Sequence, residues 1–189
     1  MSSSPRDFLR YEARSRRGAA VHEAGHIVAA HWVGCQSWGT IERMPPPFTS
    51  LWTGNAPHVG IPPLRDQRLI GVAGALAEWC WDDRFGHHAL DIDPDEILAD
   101  GSSISDGDRE ISYIVVRHGE VSVHSRQFNP DHSTLREMTA WRNAVERAYK
   151  LFNRANGKLW ADLLREARKL IVASRGIRLE RAALPRKRA

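Results

Sequence analysis

"AAVHEAGHIVAAHWVG", residues 19–34, is the stretch from which the rest of the chain is read. His22 and His26 stand four apart with Glu23 after the first, among alanines and aliphatic residues. This spacing predicts a helix, and Gly34 suits the left-handed position just past its end. At about 100° per residue the two histidines lie about 40° apart, one turn above the other, so both imidazoles can reach one metal ion. Glu23 lies about 60° to the side of His26, beside that ion rather than on it. A hydrolytic zinc site needs this arrangement. Zinc polarises the scissile carbonyl and acidifies water, while the carboxylate takes a proton and passes it to the leaving amine. The HExxH pattern is short and arises by chance in many chains, so a pair of hydrogen-bonded structural histidines competes with a zinc pair.

His31 lies roughly 180° around the helix from His22 and cannot share its ion. A metzincin would have histidine where Trp32 stands and glycine where Ala29 stands, so that family is excluded.

The 189 residues suffice for one core, and 42% apolar with 26% charged residues is an ordinary globular composition. The longest run free of Asp, Glu, Lys and Arg, Met44 to Leu64, holds six prolines and cannot be a membrane helix. "MSSSPRDFLRYEARSRR" lacks the apolar centre of a secretory signal. Cys35 and Cys80 are too few and too far apart for a cysteine-based zinc site or a disulfide framework. A reduced, cytoplasmic setting is expected. Residues 82–110 hold ten acids against Arg84 and Arg109, whereas residues 175–189 hold six bases against Glu180. The basic end could touch nucleic acid, but a solvated charge run explains it as well, and a nucleic-acid partner is not expected.

After the first helix, "GTIERM" (39–44) and "TSLWTG" (49–54) read as short strands around Pro45, Pro46 and Pro47. A second helix follows "IPPL", with Leu69, Val72, Leu76 and Cys80 at helical spacing and Gly71, Gly74 and Ala75 allowing close packing. The acidic stretch 82–101 reads as loop, with His87 and His88 as solvent-exposed loop histidines. A third helix is expected to open at "SISDGDREISYIVV". Two amphipathic helices close the chain, one through Met138, Trp141, Val145, Ala148 and Phe152, the other through Leu159, Leu163, Ala167 and Leu170, with a turn at Asn156-Gly157. The expected fold is mostly α with a small β element. Residues 1–17 form a basic extension, 18–185 the domain, and 186–189 a basic tail.

With its flanks, the opening stretch resembles the zinc helix of FtsH-type metalloproteases. The likeness continues in order through "LIGVAGALAEW" (69–79), "SSISDGDREIS" (102–112) and "AVERAYKLFNRANGKLWADLLREARKLI" (144–171). It implies an FtsH peptidase-like fold, a bound Zn2+, His22 and His26 as ligands and Glu23 as catalytic base. It also implies a third ligand from the segment after the acidic loop, either Asp108 or Asp106. On a helix, the stripe Ile111, Ile114 and Val115 is centred about 60° from Asp108 and about 140° from Asp106, which favours Asp108. Ser105-x-x-Asp108 also fits a capping box that needs no metal. Glu78, on the Gly71/Gly74 face, is expected behind the ligands or as an alternative one.

The chain departs from that family in having no GxxxxGK[ST] loop and no membrane helix, and its prolines at 45–47 match the family's strand poorly. The expected function is a zinc metalloendopeptidase that cuts flexible or unfolded polypeptide without ATP. A separate ATPase or a second copy of the chain are possible partners. The alternatives are a non-catalytic module of the same fold and a nucleic-acid-associated protein using its basic ends.

Overall fold

Ser15 starts the first helix. In the computed structural model, which describes residues 15–81, 94–99, 104–105 and 107–183, its hydroxyl accepts the Gly18 N–H at 3.0 Å and caps α1, Arg16–Trp32. The helix takes in Arg16 and Arg17, which the sequence reading placed in the basic extension. It stops where Gly34 turns to a φ of 85°. Every residue of α1 from Gly18 to Ala30 is buried. A helix with small or aliphatic residues on all sides has no face suited to water, so it becomes the centre of the core.

Helix α2, Leu64–Trp81, follows the "IPP" run as expected. Leu69, Val72, Leu76 and Cys80 are buried. The two helices approach at Gly25, where an added Cβ would lie 2.7 Å from the Ala77 Cβ. Burial pushes the Cys80 thiol up to about 12, and both Cys80 and Cys35 are free.

Four short strands join these helices: β1 Gln36–Ser37, β2 Thr40–Arg43, β3 Trp52–Asn55 and β4 His58–Val59. β2 and β3 pair antiparallel, with Thr40 opposite Asn55 and Arg43 opposite Trp52; β1 and β4 pair with Ser37 opposite His58. Pro45, Pro46 and Pro47 fall in the β2–β3 connection, outside the ladder, where missing N–H groups cost nothing. The expected pair is therefore present, slightly shifted, and the β1–β4 pair is additional.

Two expectations fail. The acidic stretch is not loop throughout: Pro94–Ala99 form a short helix, α3, while residues 82–93 and 100–103, including His87 and His88, lie outside the described residues. The expected third helix is a hairpin, β5 Glu110–Arg117 with β6 Glu120–Gln127. The reason is local. Ile111, Ile114, Val115 and Val116 are β-branched and lose side-chain freedom in a helix. His118 and Gly119, with φ of 52° and 84°, make the two-residue turn whose twist suits a hairpin.

The closing helices are α4, Leu135–Phe152, capped by Thr134, and α5, Trp160–Ala183. The α4 stripe Trp141, Val145, Ala148 and Phe152 is buried, as are Leu163, Ala167 and Leu170 of α5. Trp141 stacks on Phe128 at 4.6 Å between centroids. Arg147 of α4 donates to Asp66 of α2 at 2.6 Å. Arg16 donates to the Ile171 carbonyl and the Ser174 hydroxyl, both at 2.7 Å, tying the start of α1 to α5. The fold is thus mixed, helices with short antiparallel strands, and holds more strand than expected.

Candidate metal centre

The site grows from the buried helix α1. His22 and His26 are 3% and 5% exposed, and their Nε2 atoms lie 3.1 Å apart. Each ring is held from behind. The His26 Nδ1–H donates to the Ile70 carbonyl at 2.7 Å, and the His22 Nδ1–H donates to Glu78 Oε2 at 3.2 Å, both acceptors being on α2. With the proton on Nδ1, each Nε2 presents a lone pair, and the two nitrogens lie close enough to share one ion.

Asp108 brings the third donor. Its Oδ1 is 3.2 Å from His26 Nε2 and its Oδ2 is 3.6 Å from His22 Nε2. A tetrahedral ion with bonds of about 2.0–2.2 Å holds neighbouring ligand atoms about 3.3–3.6 Å apart. The donor set fits: two imidazole nitrogens and a carboxylate at 3.1–3.6 Å, within a few tenths of an ångström of that spacing, form a group that could hold a metal ion. Burial alone would raise the Asp108 carboxyl, but His26, His22 and a Ser105 hydrogen bond outweigh it and hold the group well below the usual carboxylate range.

The reciprocal Ser105–Asp108 bonds are present. The Ser105 N–H donates to Asp108 Oδ2 at 3.2 Å, and the Asp108 N–H donates to Ser105 Oγ at 3.3 Å. They close a turn that leads into β5, not the first turn of a helix. No helix opens at this segment, so helical faces do not separate Asp108 from Asp106. What brings Asp108 to the histidines is this turn, packed on α2 at Gly71 and followed by a strand pinned by Gln67. The Gln67 side chain accepts the Ser112 N–H at 2.6 Å and donates to the Ser112 carbonyl at 2.7 Å. Asp106 lies outside the described residues.

Glycines leave the space these groups occupy. A Cβ on Gly74 would lie 2.6 Å from His22 Nε2, and one on Gly54 of β3 would lie 2.7 Å from Glu23 Oε1. Gly74 was read from the sequence as a close-packing position; the role of Gly54 was not.

An open cavity of about 450 Å³ meets this cluster, lined among others by His22, Glu23, His26, Asp108 and His58. His58 escaped the sequence reading because a single histidine in "NAPHVG" carries no spacing signal. Burial, and then repulsion from His26 whenever that ring is protonated, holds its imidazole below the usual value. His31 is exposed and hydrogen-bonds the Ser37 carbonyl at 3.0 Å, away from the cluster. No model of a known protein family matches this chain, and no curated protein matches it either.

Proposed function

We propose that the protein is a zinc metalloendopeptidase that hydrolyses flexible or unfolded polypeptide segments, with a fold akin to FtsH-type peptidase domains. The observation that carries this reading is the convergence of His22, His26 and Asp108 on one point, beside Glu23, at the wall of an open cavity. Three protein donors with an open side are the pattern of a catalytic rather than a structural zinc site. Bound there, zinc would polarise a peptide carbonyl and lower the pKa of water.

The remaining work falls to the chain's own residues. Glu23 is 6% exposed and its carboxylate sits against Gly54, so β3 fixes its position next to the histidines. It would accept the proton of the attacking water and hand it to the leaving amine nitrogen. Glu78 and the Ile70 carbonyl hold both Nδ1 protons and keep each Nε2 turned toward the cleft. The chain contains no GxxxxGK[ST] loop, so cleavage by this chain alone would not respond to ATP.

The test is elemental analysis of the purified protein, paired with cleavage of unfolded casein with and without a chelator. The expected outcome is one zinc per chain, casein cleavage that the chelator stops, and no metal in the His22→Ala/His26→Ala double variant. Glu23→Gln should keep the metal and lose about 10²-fold or more in turnover. Full metal retention in the double variant, or near wild-type turnover in Glu23→Gln, refutes the proposal.

A further inference from the structure

The hairpin β5–β6 leaves an aliphatic face in solvent. Ile114 is paired with Val123 and Val116 with Val121, so all four side chains share one face. They are 56%, 60%, 64% and 68% exposed in that order. Elsewhere in the hairpin, Ile111 is buried, as is Phe128 just beyond it, so the base is anchored and the tip projects. Four neighbouring exposed aliphatic side chains on a hairpin of two eight-residue strands mark a binding surface rather than scattered surface residues.

The same face runs down to the metal centre. Continuing the register toward the base, the next two pairs on it are Ser112 with Ser125 and Glu110 with Gln127. Glu110 and Ser112 line the cavity that holds Glu23 and Asp108, and Glu110, Ser125 and Gln127 line a second depression beside it. The cleft and the aliphatic face are therefore one continuous surface, polar near the histidines and apolar toward the tip. From Ser112 to Val116 the strand advances about 14 Å.

We propose that this hairpin face is a docking wall for the aliphatic stretches of the polypeptide whose backbone enters the cleft. The choice of occupant rests on the peptidase reading above. An extended segment leaving the cleft reaches the Ile114–Val123 and Val116–Val121 pairs within about four residues, at the strand rise of about 3.4 Å per residue. Unfolded chains expose Val, Leu and Ile that folded proteins bury, so the wall selects unfolded polypeptide by its chemistry. The preferred substrate carries an aliphatic stretch a few residues to one side of the scissile bond.

The test uses the full chain with Glu23→Gln, so that nothing is cut and binding is read independently of hydrolysis. The probes are a fluorescently labelled extended peptide with a Val- and Leu-rich stretch and the same peptide with that stretch replaced by Ser and Gly. Fluorescence anisotropy should show the apolar peptide binding about tenfold more tightly or better, as expected for burying two or more aliphatic side chains. Adding Val121→Thr and Val123→Thr, which keep side-chain shape and strand propensity, should erase most of that difference. The fold is checked by circular dichroism. Equal binding of the two peptides, or an unchanged preference in the threonine variant, overturns the proposal. So does a dimer in sedimentation that the threonine variant dissociates, since the face would then belong to a second copy. Loss of the peptidase reading, with no casein cleavage by the wild-type chain, leaves the binding comparison intact, because it reads binding alone.

Discussion

Among the described residues, the α1–α2 pair is deeply buried and the β5–β6 hairpin is largely exposed. In α1 the run from Gly18 to Ala30 is wholly buried, whereas every residue of β6 is exposed. The helix pair holds its shape because two backbones approach across glycine and alanine, so each side chain is met on several sides. The hairpin holds its shape through its own ladder, its turn and an anchored base. Substitutions should therefore be felt strongly in the first region and weakly in the second, and function is free to use the second as a contact surface.

Four substitutions probe that contrast by urea unfolding. Leu76→Ala removes a fully buried side chain from α2 and should cost about 2–5 kcal/mol. A value below 1 kcal/mol would mean that α2 is not packed as described. Gly74→Ala places a methyl group 2.6 Å from His22 Nε2, which forces the rings or the helix to move. It should cost about 1–3 kcal/mol, and under the proposed function elemental analysis should show zinc lost with it. A stable variant that retains full metal would break the close-approach argument.

In the hairpin, Gly119→Ala puts a Cβ on a residue with φ of 84° but against open space, so only backbone strain remains, about 1 kcal/mol. Val116→Thr, on a residue 64% exposed, should stay within about 0.5 kcal/mol. If it cost as much as Leu76→Ala, the hairpin would be part of the core and the contrast would collapse.

The same contrast explains what could be read from the sequence. For α1, α2, α4 and α5, periodicity and flanking residues agree with the packing that forms, so elements and buried stripes follow from the residues themselves. The two histidines follow as well, because a four-residue spacing on one helix is local information. The hairpin was misread since Ile111, Ile114 and Val115 match a helical stripe by spacing. The β-branched composition and the His118-Gly119 turn were the better guide. Asp108 illustrates the limit. Its meeting with His22 and His26 depends on a turn packed across α2 at Gly71, a tertiary fact that helical angles could not supply. Glu78 was easier, because its face of α2 is set by the same periodicity that buries Leu76.

The division of the donors between α1 and the turn before β5 also has a bearing on timing. During synthesis the helix with both histidines emerges long before Asp108, and neither segment alone forms the complete donor set. Under the proposed activity, a nascent chain is itself unfolded polypeptide and would be vulnerable to any neighbour already able to cut. If the proposed activity holds, placing the third donor far along the chain would delay hydrolytic competence until α2 has docked on α1 and the turn has closed over it.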